Sequence, residues 1–249
     1  APTATSLDPG SVTAGGAAFT LTVTGTGFAT GAAIDFGGQA LATTLIDATQ
    51  VSATVPIGAI QAAGTRQVRV IMPGPGGGTS GPLDFVVNPA GANQLASAGG
   101  QAQTAPVTTA FGTALAVMVR DQFGNPVAPG TTVTFIAPAG GASGTFPGGL
   151  TTATATTDAT GLATAPTFTA NGVAGSYSVI ATAGGGAIPF ALTNPPGPAA
   201  SLAVTAPGAA TAGAAIALTV TVRDANGNIV PAYTGTIGFA SGDPQATLP

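Results

Sequence analysis

The stretch VMVRDQFGNPV at residues 117–127 recurs as VTVRDANGNIV at residues 220–230, 103 residues later. Each occurrence begins with alternating Val residues, continues into Asp-x-x-Gly-Asn and returns to an apolar segment. Asp side chains accept hydrogen bonds from backbone N–H groups two residues on, while Gly and Asn tolerate positive φ. Each occurrence is therefore predicted to be a strand, a tight turn and a second strand, and the repetition indicates tandem modules.

Alternation of apolar and small or polar residues extends outward from this motif over most of the chain. Val and Thr dominate these segments, and both are β-branched residues that suit a pleated, half-buried surface. Short strands between Gly, Pro, Asn and Asp clusters, with a repeat near 100 residues, are typical of immunoglobulin-like sandwiches. The predicted fold is all-β: tandem immunoglobulin-like β-sandwich modules, the last one incomplete. The clearest predicted strands are residues 19–24, 115–119, 131–136, 177–181, 188–192 and 218–222.

Two Asn-Pro steps, Asn88-Pro89 and Asn194-Pro195, each follow a predicted strand. Proline cannot donate to a sheet ladder, so these steps mark module boundaries. We predict modules at residues 1–89, 90–195 and 196–249. The third range holds only the first half of a module. Its other half is either cut off, or left out, or supplied by strands of a neighbouring chain.

Charged residues make up only 5% of the chain, with a net charge of −4 and no Lys, Glu, His, Cys or Trp. This composition gives no basic footprint for nucleic acid or an anionic membrane, and no apolar run is long enough for membrane insertion. The chain begins at Ala1 without a charged and apolar leader, so we expect any signal peptide to have been removed. A neutral surface is explained either by coverage from neighbouring molecules or by drift of a secreted repeat to small residues.

The sequence assigns no catalytic and no cofactor-binding residues. Nucleophile systems that depend on His or Cys cannot be built, and the Asp residues lie singly in predicted turns. Gly-rich segments at 74–78 and 184–186 are read as hairpin loops because neither has the Lys-Ser/Thr pair of a phosphate loop. No metal site is assigned, although calcium accepts oxygen ligands from Asp and Asn. The weak calcium candidates, for which a hydrogen-bonded turn is the competing interpretation, are Asp121, Asn125, Asp158, Asp224 and Asn228.

Most aromatic residues fall in or beside predicted strands and are expected in the cores. Tyr177, at the start of a late strand, resembles the buried corner tyrosine of sandwich folds. Three aromatic residues near loops are instead candidates for contact with another molecule: Phe123, Phe146 and Tyr233. The predicted core phenylalanines are Phe28, Phe36, Phe85, Phe111, Phe135, Phe168, Phe190 and Phe239.

Residues 1–89 resemble an IPT/TIG domain through Leu7-Asp8-Pro9-Gly10, the GTGF segment at 25–28 and the VSATVP segment at 51–56. Residues 93–194 resemble a bacterial immunoglobulin-like module of the Big-1 type, known from invasin and intimin stalks. That resemblance runs through DQFGNPV at 121–127, TDATG at 157–161 and GSYSV at 175–179. Residues 199–249 are similar to the front half of a related repeat, through Ala212-Gly213 and DANGN at 224–228. Such modules carry no family-wide catalytic residues.

The resemblance implies a bacterial extracellular or cell-surface protein. The favoured hypothesis is a non-enzymatic structural module, the stalk or spacer of a larger surface or secreted protein. One alternative is the subunit of a self-assembling filament, sheath or surface layer. Another is an adhesin or carbohydrate-binding accessory module, which would need an aromatic platform. The expected partners are copies of the chain or neighbouring modules, and no small-molecule ligand is expected.

Overall fold

The computed structural model of the chain describes residues 1–211 and 213–248. The Ala212-Gly213 segment used in the sequence comparison therefore lies partly outside the described residues, as does Pro249. Within the described residues, regular structure is almost entirely strand, with short 3-10 turns at Ile57–Ile60 and Pro147–Gly149. The all-β prediction is confirmed.

The first module consists of two sheets that enclose one core. One sheet has the strand order β1-β3-β7-β6, and the other has the order β2-β10-β8-β4-β5 with β9 paired to β8. Pairing is antiparallel except between β10 and β2. The strands are β1 (Thr3–Asp8), β2 (Ser11–Thr13), β3 (Phe19–Thr26), β4 (Ala33–Phe36), β5 (Gln39–Leu41), β6 (Thr43–Asp47), β7 (Gln50–Val55), β8 (Gly64–Met72), β9 (Gly78–Thr79) and β10 (Leu83–Asn88).

The second module repeats this plan with different strand lengths. Its sheets have the orders β11-β13-β17 and β12-β20-β19-β14-β16, with a further β15-β18 pair. Again one parallel pairing, β12 with β20, joins the first part of the module to its last strand. The strands are β11 (Gln94–Gly99), β12 (Gln103–Thr104), β13 (Ala116–Arg120), β14 (Thr132–Ile136), β15 (Gly144–Thr145), β16 (Thr152–Thr156), β17 (Leu162–Thr164), β18 (Thr169–Ala170), β19 (Gly175–Ala183) and β20 (Gly186–Asn194).

Residues after 195 form a single antiparallel strand pair in the part of the chain that the structure describes, β21 (Ala199–Thr205) with β22 (Thr219–Asp224). The apolar side chains of β21 are open to solvent, with Leu202 and Val204 51% and 60% exposed, whereas Val222 of β22 is buried. The strand predicted at residues 218–222 is present as β22 (Thr219–Asp224), and the exposed apolar side chains of β21 agree with the prediction that the last module is incomplete.

Two hydrophobic clusters correspond to the first two modules. One draws its members from Ala14 to Val87 and the other from Ala105 to Leu192. No strand pairing between the described strands crosses residue 89 or 195. This arrangement is consistent with the predicted modules 1–89, 90–195 and 196–249, whose exact boundaries stay a prediction.

The core phenylalanines were predicted correctly with one exception. Phe239 is 38% exposed and lies outside the strands, because among residues 196–211 and 213–248 the β21–β22 pair has no second sheet packed against it. Phe146, predicted as a contact residue, is instead buried and packs against Phe168 with ring centroids 4.7 Å apart. The confirmed core residues are Phe28, Phe36, Phe85, Phe111, Phe135, Phe168 and Phe190.

Candidate functional site at the module junctions

The motif at residues 121–125, here called the first Asp–Asn turn, closes on itself through its backbone. The N–H of Asp121 donates to the carbonyl of Asn125 at 2.9 Å, and the N–H of Gly124 donates to the carbonyl of Asp121 at 3.1 Å. Gly124 has φ +84°, a conformation that a residue with a Cβ rarely adopts. Asp121 Oδ1 accepts the N–H groups of Phe123 and Asn125, each at 2.9 Å. The predicted turn is therefore present, and a buried carboxylate organises it.

The second Asp–Asn turn, residues 224–228, has the same hydrogen bonds at nearly the same lengths. Asp224 Oδ1 accepts the N–H groups of Asn226 and Asn228 at 2.9 Å and 2.8 Å. Gly227 has φ +85°. Asp224 is 2% exposed although Leu202 and Val204 of the neighbouring strand face solvent. Its burial therefore comes from groups outside the β21–β22 pair, which are described next.

The other carboxylate oxygen of each turn holds the linker between modules. Asp121 Oδ2 accepts the N–H of Ala90 at 3.0 Å, and Asp224 Oδ2 accepts the N–H of Gly197 at 2.8 Å. Both donors lie just after the Asn-Pro steps that end β10 and β20. One side chain thus shapes the turn with one oxygen and fixes the incoming linker with the other.

The asparagine of each turn contacts the preceding module. Asn125 Nδ2 donates to the carbonyl of Gln61 at 2.8 Å, and its Oδ1 accepts the N–H of Ala63 at 3.0 Å. Asn228 makes the same pair of bonds, to the carbonyl of Gly172 and from the N–H of Ala174, each at 2.9 Å. We call this pair of bonds the amide bridge, and residues 61–63 and 172–174 the first and second receptor loops.

A second hydrogen on each asparagine amide returns to the aspartate of its own turn. Asn125 Nδ2 donates to Asp121 Oδ2 at 2.9 Å, and Asn228 Nδ2 donates to Asp224 Oδ2 at 2.9 Å. This bond fixes which end of the carboxamide faces which backbone group of the receptor loop, because only the NH₂ end can donate. The aspartate is therefore a positioning residue for the amide bridge.

The third residue of each turn faces a glycine of the preceding module. The Phe123 ring lies over Gly15, so closely that a methyl group there would overlap it. The corresponding residue of the second turn is Asn226, whose Oδ1 lies 3.0 Å from where a Cβ of Gly172 would be. Phe123 was predicted to contact another molecule. Its contact is instead with the first module of its own chain, and Tyr233, the third such candidate, is 39% exposed.

The two receptor loops are supported by different side chains. In the first, the Arg66 guanidinium donates to the carbonyl of Ala62 at 2.9 Å. The second is held by a network around Asn194, which is 1% exposed and whose Nδ2 donates to the carbonyl of Ser143 at 2.7 Å. Asn171 Oδ1 accepts the N–H of Val173 at 3.1 Å within the same network.

Tyr177 closes this network from the core side. Its hydroxyl donates to Asn194 Oδ1 at 3.1 Å. Burial raises the pKa of Tyr177 to about 12, although the hydrogen bond to Asn194 acts in the opposite direction. The expected corner tyrosine is therefore half-buried, and its hydrogen bond ends on the asparagine that precedes the second linker.

A third turn of the same shape shows what the asparagine contributes. Asp158 Oδ1 accepts the N–H groups of Thr160 at 2.8 Å and Leu162 at 3.0 Å, and Gly161 has φ +81°. Leu162 stands where Asn125 and Asn228 stand in the other turns. Asp158 is exposed, and its side-chain hydrogen bonds stay within its own turn. Asp and Gly thus make the turn, and Asn makes the junction.

The charge state of the two junction aspartates follows from these bonds. Burial would raise the pKa of Asp121, but hydrogen bonds from the Asn125 side chain and from the backbone of Ala90, Asn125 and Phe123 outweigh it. The pKa of Asp121 consequently lies below the ordinary value of 3.8. For Asp224, burial is again outweighed, by the Asn228 side chain and the corresponding backbone donors, and the pKa is also lowered.

The calcium hypothesis competes with these same hydrogen bonds. Both carboxylate oxygens of Asp121 and Asp224, and Oδ1 of Asp158, already accept N–H donors, which a cation would have to displace. Asn125 and Asn228 direct their amide oxygens to receptor-loop N–H groups. Across residues 1–211 and 213–248, no group of three Asp, Glu, His or Cys residues is placed to hold a metal. Calcium binding stays an untested prediction.

Comparison with known proteins agrees with the fold. Residues 2–87 match the family model of the IPT/TIG domain. Among solved structures, FdeC, an Escherichia coli adhesin, is similar with 19% identity and a TM-score of 0.55, over 92% of this chain and 78% of FdeC. InvD of Yersinia pseudotuberculosis has 17% identity and a TM-score of 0.60, over 92% of this chain and 72% of InvD. No curated protein matches the sequence significantly.

These matches show tandem immunoglobulin-like β-sandwich modules, and the region that is similar to the IPT/TIG domain is residues 2–87. The Big-1 resemblance of residues 93–194 stays a prediction. Sequence reasoning identified the Asp–Asn turns but did not identify the receptor loops. Both loops continue as Ala-Gly followed by Thr or Ser, at residues 63–65 and 174–176, and this shared signal was available in the sequence.

Proposed function

We propose that the chain is a non-enzymatic structural segment, the stalk or spacer of a bacterial surface or secreted multidomain protein. The observation that carries the proposal is the repeated junction. Two Asp–Asn turns, 103 residues apart, join consecutive modules through the same hydrogen bonds to linker and receptor loop. A spacer needs modules that keep their relative orientation, and a repeated, hydrogen-bonded junction provides this.

Each junction ties the two modules at two separated points. The aspartate holds the linker, and the asparagine holds a loop that lies far from the linker in sequence. If one module tilts relative to the next, the two hydrogen bonds of the amide bridge must break. Their polar groups are then left without a partner or bound to water. A net contribution of about 1 kcal/mol per hydrogen bond is sufficient to bias orientation without making a junction rigid.

The chemistry of the junctions supports a mechanical rather than a catalytic role. The aspartates there bind backbone N–H groups, and their lowered pKa values keep them ionised, which makes them poor general acids near neutral pH. The fold shared with FdeC, itself an adhesin, supports a surface location. No helix in the described residues is long and apolar enough to cross a membrane.

Small-angle X-ray scattering of the full chain tests this proposal. A compact particle of this length would have a radius of gyration of about 18 Å. We expect a clearly larger value and a pair-distance distribution with the long tail of a rod. The double variant Asn125→Ala with Asn228→Ala should scatter as a more flexible particle. A value close to that of a compact sphere would contradict the spacer proposal.

Self-assembly is a second candidate, favoured by one observation. The β21–β22 pair exposes Leu202 and Val204 on a chain with very few charges to keep molecules apart. Electron microscopy of concentrated protein distinguishes the candidates. Regular filaments or sheets of the parent chain that are absent in the double variant Leu202→Thr with Val204→Thr would favour assembly. Dispersed rods of both the parent and the variant would favour the spacer.

A further inference from the structure

The receptor loops contribute only backbone groups to the amide bridge. A carbonyl comes from Gln61 or Gly172, and an N–H comes from Ala63 or Ala174. Each loop leads directly into a nine-residue strand, β8 in the first module and β19 in the second. The side chains of the loop are therefore free to differ, and they do.

The modules that supply these loops are also different in sequence. Residues 2–87 match the IPT/TIG domain, and that match ends before the second module begins. The linkers differ as well, with residues 89–93 before β11 and residues 195–198 before β21. Both linkers nevertheless deliver an N–H to the aspartate of the following turn. The junction geometry is thus the same although the surroundings are not.

We propose that the receptor loop is a general docking point, and that its partner is a β-sandwich module that carries an Asp-x-x-Gly-Asn turn. The amide bridge forms between the two. The receptor loop would accept such a turn irrespective of the family of either module. The third turn residue, Phe123 or Asn226, would then decide which pairs fit best. This inference rests on the proposed spacer function, because it explains how such a spacer could be built from unrelated modules.

Discrimination follows from the contact of the third turn residue. Phe123 needs a residue without a side chain beneath it, and Gly15, at φ +68°, provides this. Asn226 is smaller, and the end of its flexible side chain makes the contact with Gly172. We expect a turn with an aromatic third residue to require a glycine at the position of Gly15 in the preceding module, and a turn with Asn to tolerate more partners.

Exchange of one receptor loop for the other tests this docking in the full chain. Gln61→Gly with Ala62→Val gives the first loop the sequence of the second. The chain has no Cys, so Thr44→Cys and Thr154→Cys place spin labels only on exposed positions of the first and second modules. We expect the label-to-label distance distribution to remain as narrow as in the parent. If the distribution of the loop-exchange variant became as broad as that of the Asn125→Ala variant, the inference would be overturned.

A duplicated module gives an independent test. A second copy of residues 90–195 that carries Phe123→Asn, inserted after residue 195, would place its Asn125 against the second receptor loop of the original copy. The Phe123→Asn change gives the inserted turn the smaller third residue that Asn226 supplies at the native second junction. Labels at Thr154→Cys in both copies then report on the new junction. We expect a narrow distribution that is lost with Asn125→Ala in the inserted copy and retained with Asn93→Ala, an exposed asparagine outside the bridge.

The outcomes separate this inference from the spacer proposal. A narrow distribution across the native junction together with a broad one across the new junction would overturn the proposal of a general docking point and leave the spacer intact. Broad distributions at both would overturn both, since the native modules would then have no fixed orientation.

Discussion

The two junctions share the amide bridge but differ in what surrounds it. At the first, an aromatic ring covers Gly15, and an arginine supports the receptor loop from a strand. At the second, the ring is replaced by Asn226, and a buried amide network around Asn194 supports the loop. The first junction therefore adds apolar contact to the bridge, whereas the second adds rigidity of the receptor. The features that both junctions share indicate what a junction requires, namely the aspartate, the glycine and the asparagine of the turn itself.

The largest expected effect is on the support of the second receptor loop. Asn194→Ala leaves the Ser143 carbonyl and the Tyr177 hydroxyl without this buried partner, so we expect about 2–4 kcal/mol loss of stability in the second module. Urea unfolding followed by tyrosine fluorescence measures it in a Tyr233→Phe background, in which Tyr177 is the only tyrosine. Asn93→Ala is the matched control, because Asn93 is an exposed asparagine of the same module, and it should change stability by less than about 0.5 kcal/mol. Equal effects would show that the network is not a specific support.

The next effect concerns the aspartate that organises the first turn. Asp121→Ala removes the acceptor for the N–H groups of Ala90, Phe123 and Asn125, and we expect a loss of about 2–3 kcal/mol in the same unfolding measurement. Asp158→Ala removes a similar turn without a linker bond, and its loss should be clearly smaller. If the two variants were equally destabilised, the linker bond would contribute nothing.

A difference between the junctions is expected when the bridge itself is removed. Asn125→Ala leaves Phe123 in contact with Gly15, whereas Asn228→Ala leaves only the contact of Asn226. We expect the second junction to loosen more than the first, and module stability to change little in either variant. Spin-label distances across each junction measure the change, with Thr154→Cys paired with Thr44→Cys or with Ser201→Cys. If the distance distribution broadened more in Asn125→Ala at the first junction than in Asn228→Ala at the second, the Phe123 contact would not stabilise the first junction.

The smallest expected effect is that of pH, and it should be the same at both junctions. Because the pKa values of Asp121 and Asp224 are lowered on folding, their contribution is complete above the unfolded pKa and is lost as pH falls through the folded pKa. The junctions should therefore keep narrow distance distributions from pH 7 down to about pH 4.5 and loosen only below about pH 4. Asp121→Asn should remove this acid response at the first junction. Loosening near pH 6 would require a different titrating group.

Much of the fold could be predicted because local pattern and core burial agree in the first two modules. Thr-Val alternation in β3 and β14 places every second residue in a core, and strand ends coincide with Asn-Pro steps. Phe239 was predicted wrongly, because its burial depends on a partner sheet that a local pattern does not supply. Phe146 was predicted wrongly for the opposite reason, since a loop position was brought into the core by Phe168.

The candidate site was predictable only in part. The repeated motif indicated Asp121, Asn125, Asp224 and Asn228 as residues with a shared role, and their turn-forming chemistry was correctly read. The receptor-loop partners of Asn125 and Asn228 lie 54 or more residues earlier in the chain, as with Asn228 and Ala174, at 54 residues, and Asn125 and Ala63, at 62 residues. No local pattern encodes such a distance, because the partner groups are backbone atoms that every residue carries.

The sequence by itself determined most of the strands and the Asp-x-x-Gly turns, since these depend on neighbours within a few residues. Only the tertiary structure decided that two of three similar turns are junctions. The Asp158 turn has the same aspartate and glycine but ends in Leu162, and it contacts no other module through its side-chain bonds. The physical reason is that a carboxamide can both donate and accept, and so can pair with a loop that presents one carbonyl and one N–H.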